Sequence, residues 1–186
     1  MAHFLIDFSS FCDQQWTSSL CSFALMENNL DVHSIDISYG AVWVMKNRGL
    51  TNIHHGDIRH FNKKAFDTIV FFGNNHGLFG DINSFAKFLS KSNSILKPTG
   101  QILIPSSIVK IPINSNENDS IYGINYLQLI AALQYKGKKS KSFRWFMAEP
   151  AYISSFMKSN GWIVDSTYLN NNKTCLLKLT KNKISL

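Results

Sequence analysis

The chain reads as an α/β protein of the Rossmann-like, doubly wound class, with a mostly parallel seven-stranded sheet closed by a C-terminal antiparallel hairpin. Three observations point there. Residues 30–58 (LDVHSIDISYGAVWVMKNRGLTNIHHGDI) spell strand, helix and strand, with a glycine stop at Gly49. Residues 66–72 (FDTIVFF) are a near-continuous apolar run, as a central parallel strand covered on both faces requires. The chain then ends in two β-prone runs, 162–169 and 175–180, on either side of NNNK, which is a hairpin pattern.

At 186 residues with 45% hydrophobic and 13% aromatic side chains, the chain has the apolar surface for one sizeable core and lacks the composition of a disordered protein. It is read as a single domain over 1–186, with an insertion at 106–149. The longest apolar runs are of strand length, so no membrane span is expected. The opening residues, MAHFLIDFSSFCDQQW, carry no basic region and no small-residue cleavage site, which makes the cytoplasm the expected location. Cys12, Cys21 and Cys175 are odd in number, far apart and without a CxxC, the pattern of reduced thiols and not of a disulfide scaffold. The net charge of +7 fits either an anionic partner such as nucleic acid or a lysine-rich solvated surface.

Taken in order, residues 3–8 form the first strand, in a run that continues to Cys12. Residues 18–28 have helical spacing through Leu20, Phe23, Ala24 and Met26, closed by an asparagine pair. Residues 32–37 are the second strand, with the acid Asp36 at its carboxyl end. Ala41, Val42, Val44 and Met45 share one face of the following helix. Residues 50–53 then form a third strand that leads to Asp57. The fourth strand, 66–72, runs out into GNNHGLFG. Asp81 is placed to cap a helix carrying Phe85, Phe88, Leu89 and Ile95. Pro98 and Gly100 break that helix before a fifth strand at 101–105. Residues 112–120 are a polar loop. Residues 121–149 hold two β-prone arms around KGKKSK and are read as an inserted antiparallel hairpin, a helix in the first arm being the rival. Pro150 opens a helix that ends at Gly161.

Parallel strands joined by helices bind ligands beyond their carboxyl ends. Asp36 and Asp57 both stand there. The motifs around them resemble those of class I S-adenosylmethionine-dependent methyltransferases, small bacterial members in particular. VHSIDIS resembles the family's second strand, HHGDI its adenine-side motif, FDTIVFFGNN its fourth strand and LKPTGQILI the approach to its fifth. YKGKKSKSFRWFMAEP and SNGWIV resemble the distal half of such proteins. The resemblance implies S-adenosylmethionine as cofactor. Asp36 would accept from the ribose hydroxyls and Ile37 would pack on the adenine. Asp57 would accept from the adenine amine with Ile58 beside it, and Gly73 and Asn74 would lie near the sulfonium. It implies methyl transfer to a small-molecule acceptor. Position 74 is followed by NHG and not PPY, which does not support methylation of amino groups on DNA or protein glutamine.

The departure is at the start. The family has an acid after its first strand and then a GxGxG-type loop. Without gaps the acid falls on Asp13 and the glycines on Gln15, Thr17 and Ser19; the alternative acid is Asp7, again with no glycine following. The stretch before Trp16 is therefore expected to be a diverged, truncated or out-of-frame version of that motif. This keeps a second reading open, a catalytically inactive member that serves as a binding module. Lys136, Lys138, Lys139, Lys141 and Arg144, interleaved with Tyr135, Phe143 and Trp145, are candidate nucleic-acid contacts in that case. A nicotinamide-dependent oxidoreductase would need GxGxxG after the first strand, which is absent. His54, His55, His60 and His76 have no metal-ligand spacing, so no metal is expected, and the catalytic residues stay unassigned, with His76 the one candidate base. A homodimer is a further expectation, on the grounds of an exposed first strand or missing helical cover.

Overall fold

The computed structural model describes residues 3–7, 17–62, 65–72, 74–107, 126–169 and 174–181. The elements follow one another as β1 (His3–Asp7), α1 (Thr17–Glu27), β2 (Asp31–Asp36), α2 (Tyr39–Asn47), β3 (Ile53–His55), β4 (Phe66–Phe71), α3 (Ile82–Ser92) and β5 (Leu96–Ser107). The insertion supplies β6 (Tyr126–Ala131), β7 (Gln134–Tyr135), β8 (Lys138–Lys139) and β9 (Phe143–Ala148), and α4 (Pro150–Ser159), β10 (Trp162–Leu169) and β11 (Thr174–Lys181) close the chain. Short 3₁₀ turns occupy Ile58–His60 and Asn75–Phe79.

One mixed seven-stranded sheet runs in the order β3-β2-β1-β4-β5-β11-β10. β3 through β5 are parallel, and β11 is antiparallel to both of its neighbours. Strand β1 lies inside the sheet between β2 and β4, so the open first strand offered as a reason for dimerisation does not exist; the edges are β3 and β10.

Alternation along β2 shows how both faces are covered. Val32 and Ile35 are three residues apart and therefore point to opposite faces. Val32 packs with Val42 and Met45 of α2, and with Phe23, Leu25 and Met26 of α1. Ile35 belongs to the larger cluster with Phe85 and Leu89 of α3 and Ile153 and Met157 of α4. Helices α1 and α2 thus cover one face, and α3 and α4 the other. The central strand β4 is buried along nearly its whole length, which explains why its sequence shows no alternation.

Local chemistry sets the helix ends. Ser38 and Asp81 cap α2 and α3, the Asp81 carboxylate accepting from Ser84 N at 2.7 Å and from Ser84 Oγ at 2.7 Å. Pro150 sits in the first turn of α4, where its missing N–H costs nothing. Three elements differ from the sequence reading by more than a residue, one being α3, which ends at Ser92 and leaves Ile95 beyond it. The third strand begins at Ile53 and not at Leu50, because Leu50 is drawn under α2 into the core. The fifth begins at Leu96, since an irregularity between the Phe66–Leu96 and Thr68–Gln101 pairs takes Pro98 and Gly100 into the strand. The proposed continuation of the first strand to Cys12 lies outside the described residues.

The insertion is the expected hairpin, and the helical rival for its first arm is excluded by pairing of β6 with β9 from Tyr126–Ala148 to Ala131–Phe143. Its tip, Lys136-Gly137 between β7 and β8, has positive φ at both residues (46° and 75°), as a two-residue hairpin turn demands. The other end is seated on the turn that follows β4. Tyr126 Oη accepts from Ile82 N at 3.3 Å and Gln128 Nε2 donates to Gly80 O at 3.4 Å. Gly77 makes the closest approach: a Cβ there would stand 2.4 Å from Phe146 O and 2.6 Å from the Trp145 indole. Because one of those contacts is backbone, Gly77→Ala is expected to cost about 3 kcal/mol or more, measured by denaturant unfolding. An unchanged midpoint would show that the hairpin is not held there.

Candidate functional site at the carboxyl rim of the sheet

Register brings the ends of β2 and β3 together. Asp36 pairs with His55, and Gly56 N donates to Asp36 O at 2.9 Å. The Asp36 side chain is 2% exposed, and its Oδ1 accepts from Ser38 N at 2.6 Å. Burial pushes its carboxyl up to about 6, against the opposing pull of the Ser38 N–H and the nearby His55. A carboxylate has roughly four acceptor positions, of which Ser38 uses one, so the group retains capacity for a diol. Beside it the surface is apolar and open: Ile37 is 51% exposed and Tyr39 72%, with the Tyr39 ring edge-on to His55 at 5.7 Å. His55 Nε2 lies 3.1 Å from Ile37 O, tying this rim together.

Asp57 stands two residues beyond β3 and caps the 3₁₀ turn by accepting from Arg59 N at 2.8 Å. The Arg59 guanidinium also grips both carboxylate oxygens, Nε at 3.0 and 2.8 Å. Burial raises the Asp57 carboxyl, but these Arg59 bonds and its charge outweigh that and hold it below the usual carboxylate range.

The neighbouring rim, at the ends of β4 and β5, is aromatic and closed. His76, in the turn after β4, is 1% exposed and packs against Phe85 and Phe146 at 5.8 and 5.4 Å between ring centroids. Burial in this apolar setting pulls its imidazole down to about 4, so it is neutral at pH 7. Its Nδ1 and the Oγ of Ser106 near the end of β5 are buried without a hydrogen-bond partner among the described residues. A buried orphan of this kind costs about 1–3 kcal/mol.

Comparison with known proteins now bears on this geometry. Residues 17–104 match the family model described as a methyltransferase domain. Among solved structures, a SAM-dependent methyltransferase from Bacteroides fragilis in complex with S-adenosyl-L-homocysteine superposes with TM-score 0.78 at 24% identity, over 97% of this chain and 72% of the other. The glycopeptide N-methyltransferase MtfA complexed with S-adenosyl-L-methionine gives 0.65 at 12% identity, over 98% and 88%. The CcbJ methyltransferase from Streptomyces caelestis gives 0.66 at 10%, over 97% and 83%. The fold is that of the class I S-adenosylmethionine-dependent methyltransferases. A search of curated protein sequences finds no match.

Within this methyltransferase fold the residues singled out from sequence divide. Asp36, Ile37 and Asp57 are brought to one rim by adjacent, co-directional strands. Ile58 is 3% exposed and packed in the larger core cluster, so it presents little side-chain surface. Asn74 adopts the left-handed conformation (φ 62°, ψ 22°) at the head of the turn after β4, the turn-forming role its residue type suggests. Gly73, Asp13 and Gln15 lie outside the described residues. Thr17 and Ser19, the gapless glycine positions, fall inside α1. β1 instead ends on Asp7, level with Ile35 and Phe71, which puts the alternative acid at the rim. Sequence reasoning missed Arg59, although an acid and arginine two residues apart is a readable signal for a self-paired turn, and it missed Tyr39. Lys136, Lys138, Lys139, Lys141 and Arg144 are exposed on the hairpin and its tip. No described helix is long and apolar enough to cross a membrane.

The shifts at Asp36 and His76 act oppositely on stability. The Asp36 contribution is fully present below its unfolded value of 3.8 and is lost as pH rises through about 6. The His76 contribution is present above 6.5 and is lost as pH falls through about 4, on the order of 3 kcal/mol in all. Thermal melts from pH 8 to 4.5 should therefore find Asp36→Asn more stable than the parent at pH 8, with the gap shrinking by pH 5. His76→Phe should lose less stability than the parent below pH 6. Curves that stay parallel to the parent would contradict both assignments.

Proposed function

We propose that the chain binds S-adenosylmethionine across the β1, β2 and β4 rim and transfers its methyl group to a small-molecule acceptor. The observation that carries this reading is Asp36, an acid withdrawn from water at the tip of β2 with acceptor capacity unused, beside the open apolar surface of Ile37. Its carboxylate takes the ribose hydroxyls and Ile37 takes one adenine face. Asp57 accepts from the adenine amine by exchanging part of its Arg59 pairing, and the buried Ile58 supports that turn from beneath. Gly73 and Asn74 lie beside the sulfonium in this reading, and β1 ends on Asp7 at the same rim. Transfer of a methyl group relies mainly on holding donor and acceptor in line, so the unassigned catalytic base is no obstacle. One of the solved structures with this fold is a glycopeptide N-methyltransferase. Activity in the cytoplasm fits the reading.

One observation favours a second reading. Residues 8–16 between β1 and α1 contain no glycine, where the family brings backbone against the cofactor. An inactive member would keep the fold and use the lysines of the insertion to bind nucleic acid. A nicotinamide enzyme is less suited, because the closing β10–β11 pair plays no part in that fold's logic.

Calorimetric titration with S-adenosylmethionine and S-adenosylhomocysteine decides between these. Binding should be lost by about 10- to 100-fold in Asp36→Ala, the value of hydrogen bonds to a charged group. Because the diol is held by the ionised carboxylate, affinity should fall about tenfold per pH unit below about 6. No heat at millimolar ligand, together with a salt-dependent gel shift of RNA or DNA, would select the inactive binding module.

A further inference from the structure

The two orphaned atoms described above share a place. β4 and β5 are parallel neighbours with Val70 level with Leu103, so the turn that carries His76 and the Ser106 end of β5 both stand at the carboxyl rim of the sheet. Ser106 alternates in phase with Ile102 and Ile104, which lie in the larger core cluster. His76 packs on Phe85 and Phe146 of that same cluster. Both atoms therefore sit on the α3–α4 face of the sheet, at its carboxyl rim, where parallel α/β sheets bind their ligands. Buried polar atoms in native proteins are nearly always bonded, and exceptions call for an explanation. Two exceptions among the described residues, on neighbouring strand ends and one face, call for a shared one.

We propose that His76 Nδ1 and Ser106 Oγ are the polar contacts for the methyl acceptor, and that the acceptor is an uncharged compound presenting a hydroxyl or amino group on a flat apolar body. The proposal rests on the methyltransferase reading only for the word acceptor. The class follows from the surroundings. Phe85, Phe146 and Trp145 supply apolar and aromatic wall. The imidazole is neutral at pH 7 and Ser106 carries no charge, so a carboxylate or phosphate brought here would lose its hydration with no cation from this pair to compensate. A hydroxyl or amine can donate to Nδ1 and accept from a serine hydroxyl, which satisfies both orphans. His76 packs against Phe146 of β9, so an acceptor reaches it as that strand draws back from Gly77.

The experiment uses benzyl alcohol as the neutral probe and benzoate as its anionic counterpart. Nitrogen-15 spectra of the imidazoles are recorded with and without S-adenosylhomocysteine, and the His76 signal is identified by its loss in His76→Gln. Benzyl alcohol should move the His76 Nδ1 resonance saturably, benzoate should not, and Ser106→Ala should weaken the alcohol about 3- to 10-fold. A His76 signal indifferent to the alcohol, or equally moved by benzoate, overturns the proposal. The cofactor reading is judged separately: if S-adenosylhomocysteine gives no heat but the alcohol still moves His76, the polar pair stands and the methyltransferase reading falls. Thermal melts guard against a purely structural pairing with solvent. Ser106→Ala should melt within about 2 °C of the parent or above it, because an atom that awaits a ligand contributes nothing to the free protein; a fall of about 5 °C or more counts against the proposal.

Discussion

The carboxylate of Asp36 is the constraint around which this molecule is arranged. It is almost wholly withdrawn from water at the end of β2, where β2 pairs with β3 and Gly56 N donates to Asp36 O. An acid so placed is a liability to the fold, as the rise of its ionisation to about 6 records. A strongly shifted acid at a sheet rim marks a candidate functional site. Asp57 shows the contrast. It is as close to the rim, yet Arg59 has already satisfied it, so the two acids that looked equivalent in sequence are electrostatically different.

The insertion covers the rim at the end of β4. Its β6–β9 arms are tied to the turn after β4 through Tyr126, Gln128 and the close approach at Gly77, which converts a loop rim into a roofed one. His76, packed against Phe146 of that hairpin, has an Nδ1 that is buried with no hydrogen-bond partner among the described residues. One rim is therefore open and acidic and the other closed, neutral and aromatic.

Much of this was legible along the chain. Periodicity located the parallel strands and most of the helices, and Asp81, Pro150 and the two positive-φ residues of the hairpin tip announced their roles, because caps and turns are decided by neighbours in sequence. The start of β3 was misplaced because Leu50 is apolar for the sake of the core under α2 and not for the sheet. The extent of β5 was misjudged because proline and glycine usually end an element, and only pairing with β4 accommodates them as a bulge.

What the sequence determined by itself is the class of fold and the position of Asp36 and Asp57 at strand ends, since both depend on short-range pattern and strand polarity. Which acid is free and which is consumed, that His76 is buried and neutral, and that Ser106 shares its face at the same rim were decided only in three dimensions. Desolvation and hydrogen-bond pairing are properties of surroundings, and those surroundings are assembled from strands and an inserted hairpin far apart in the chain.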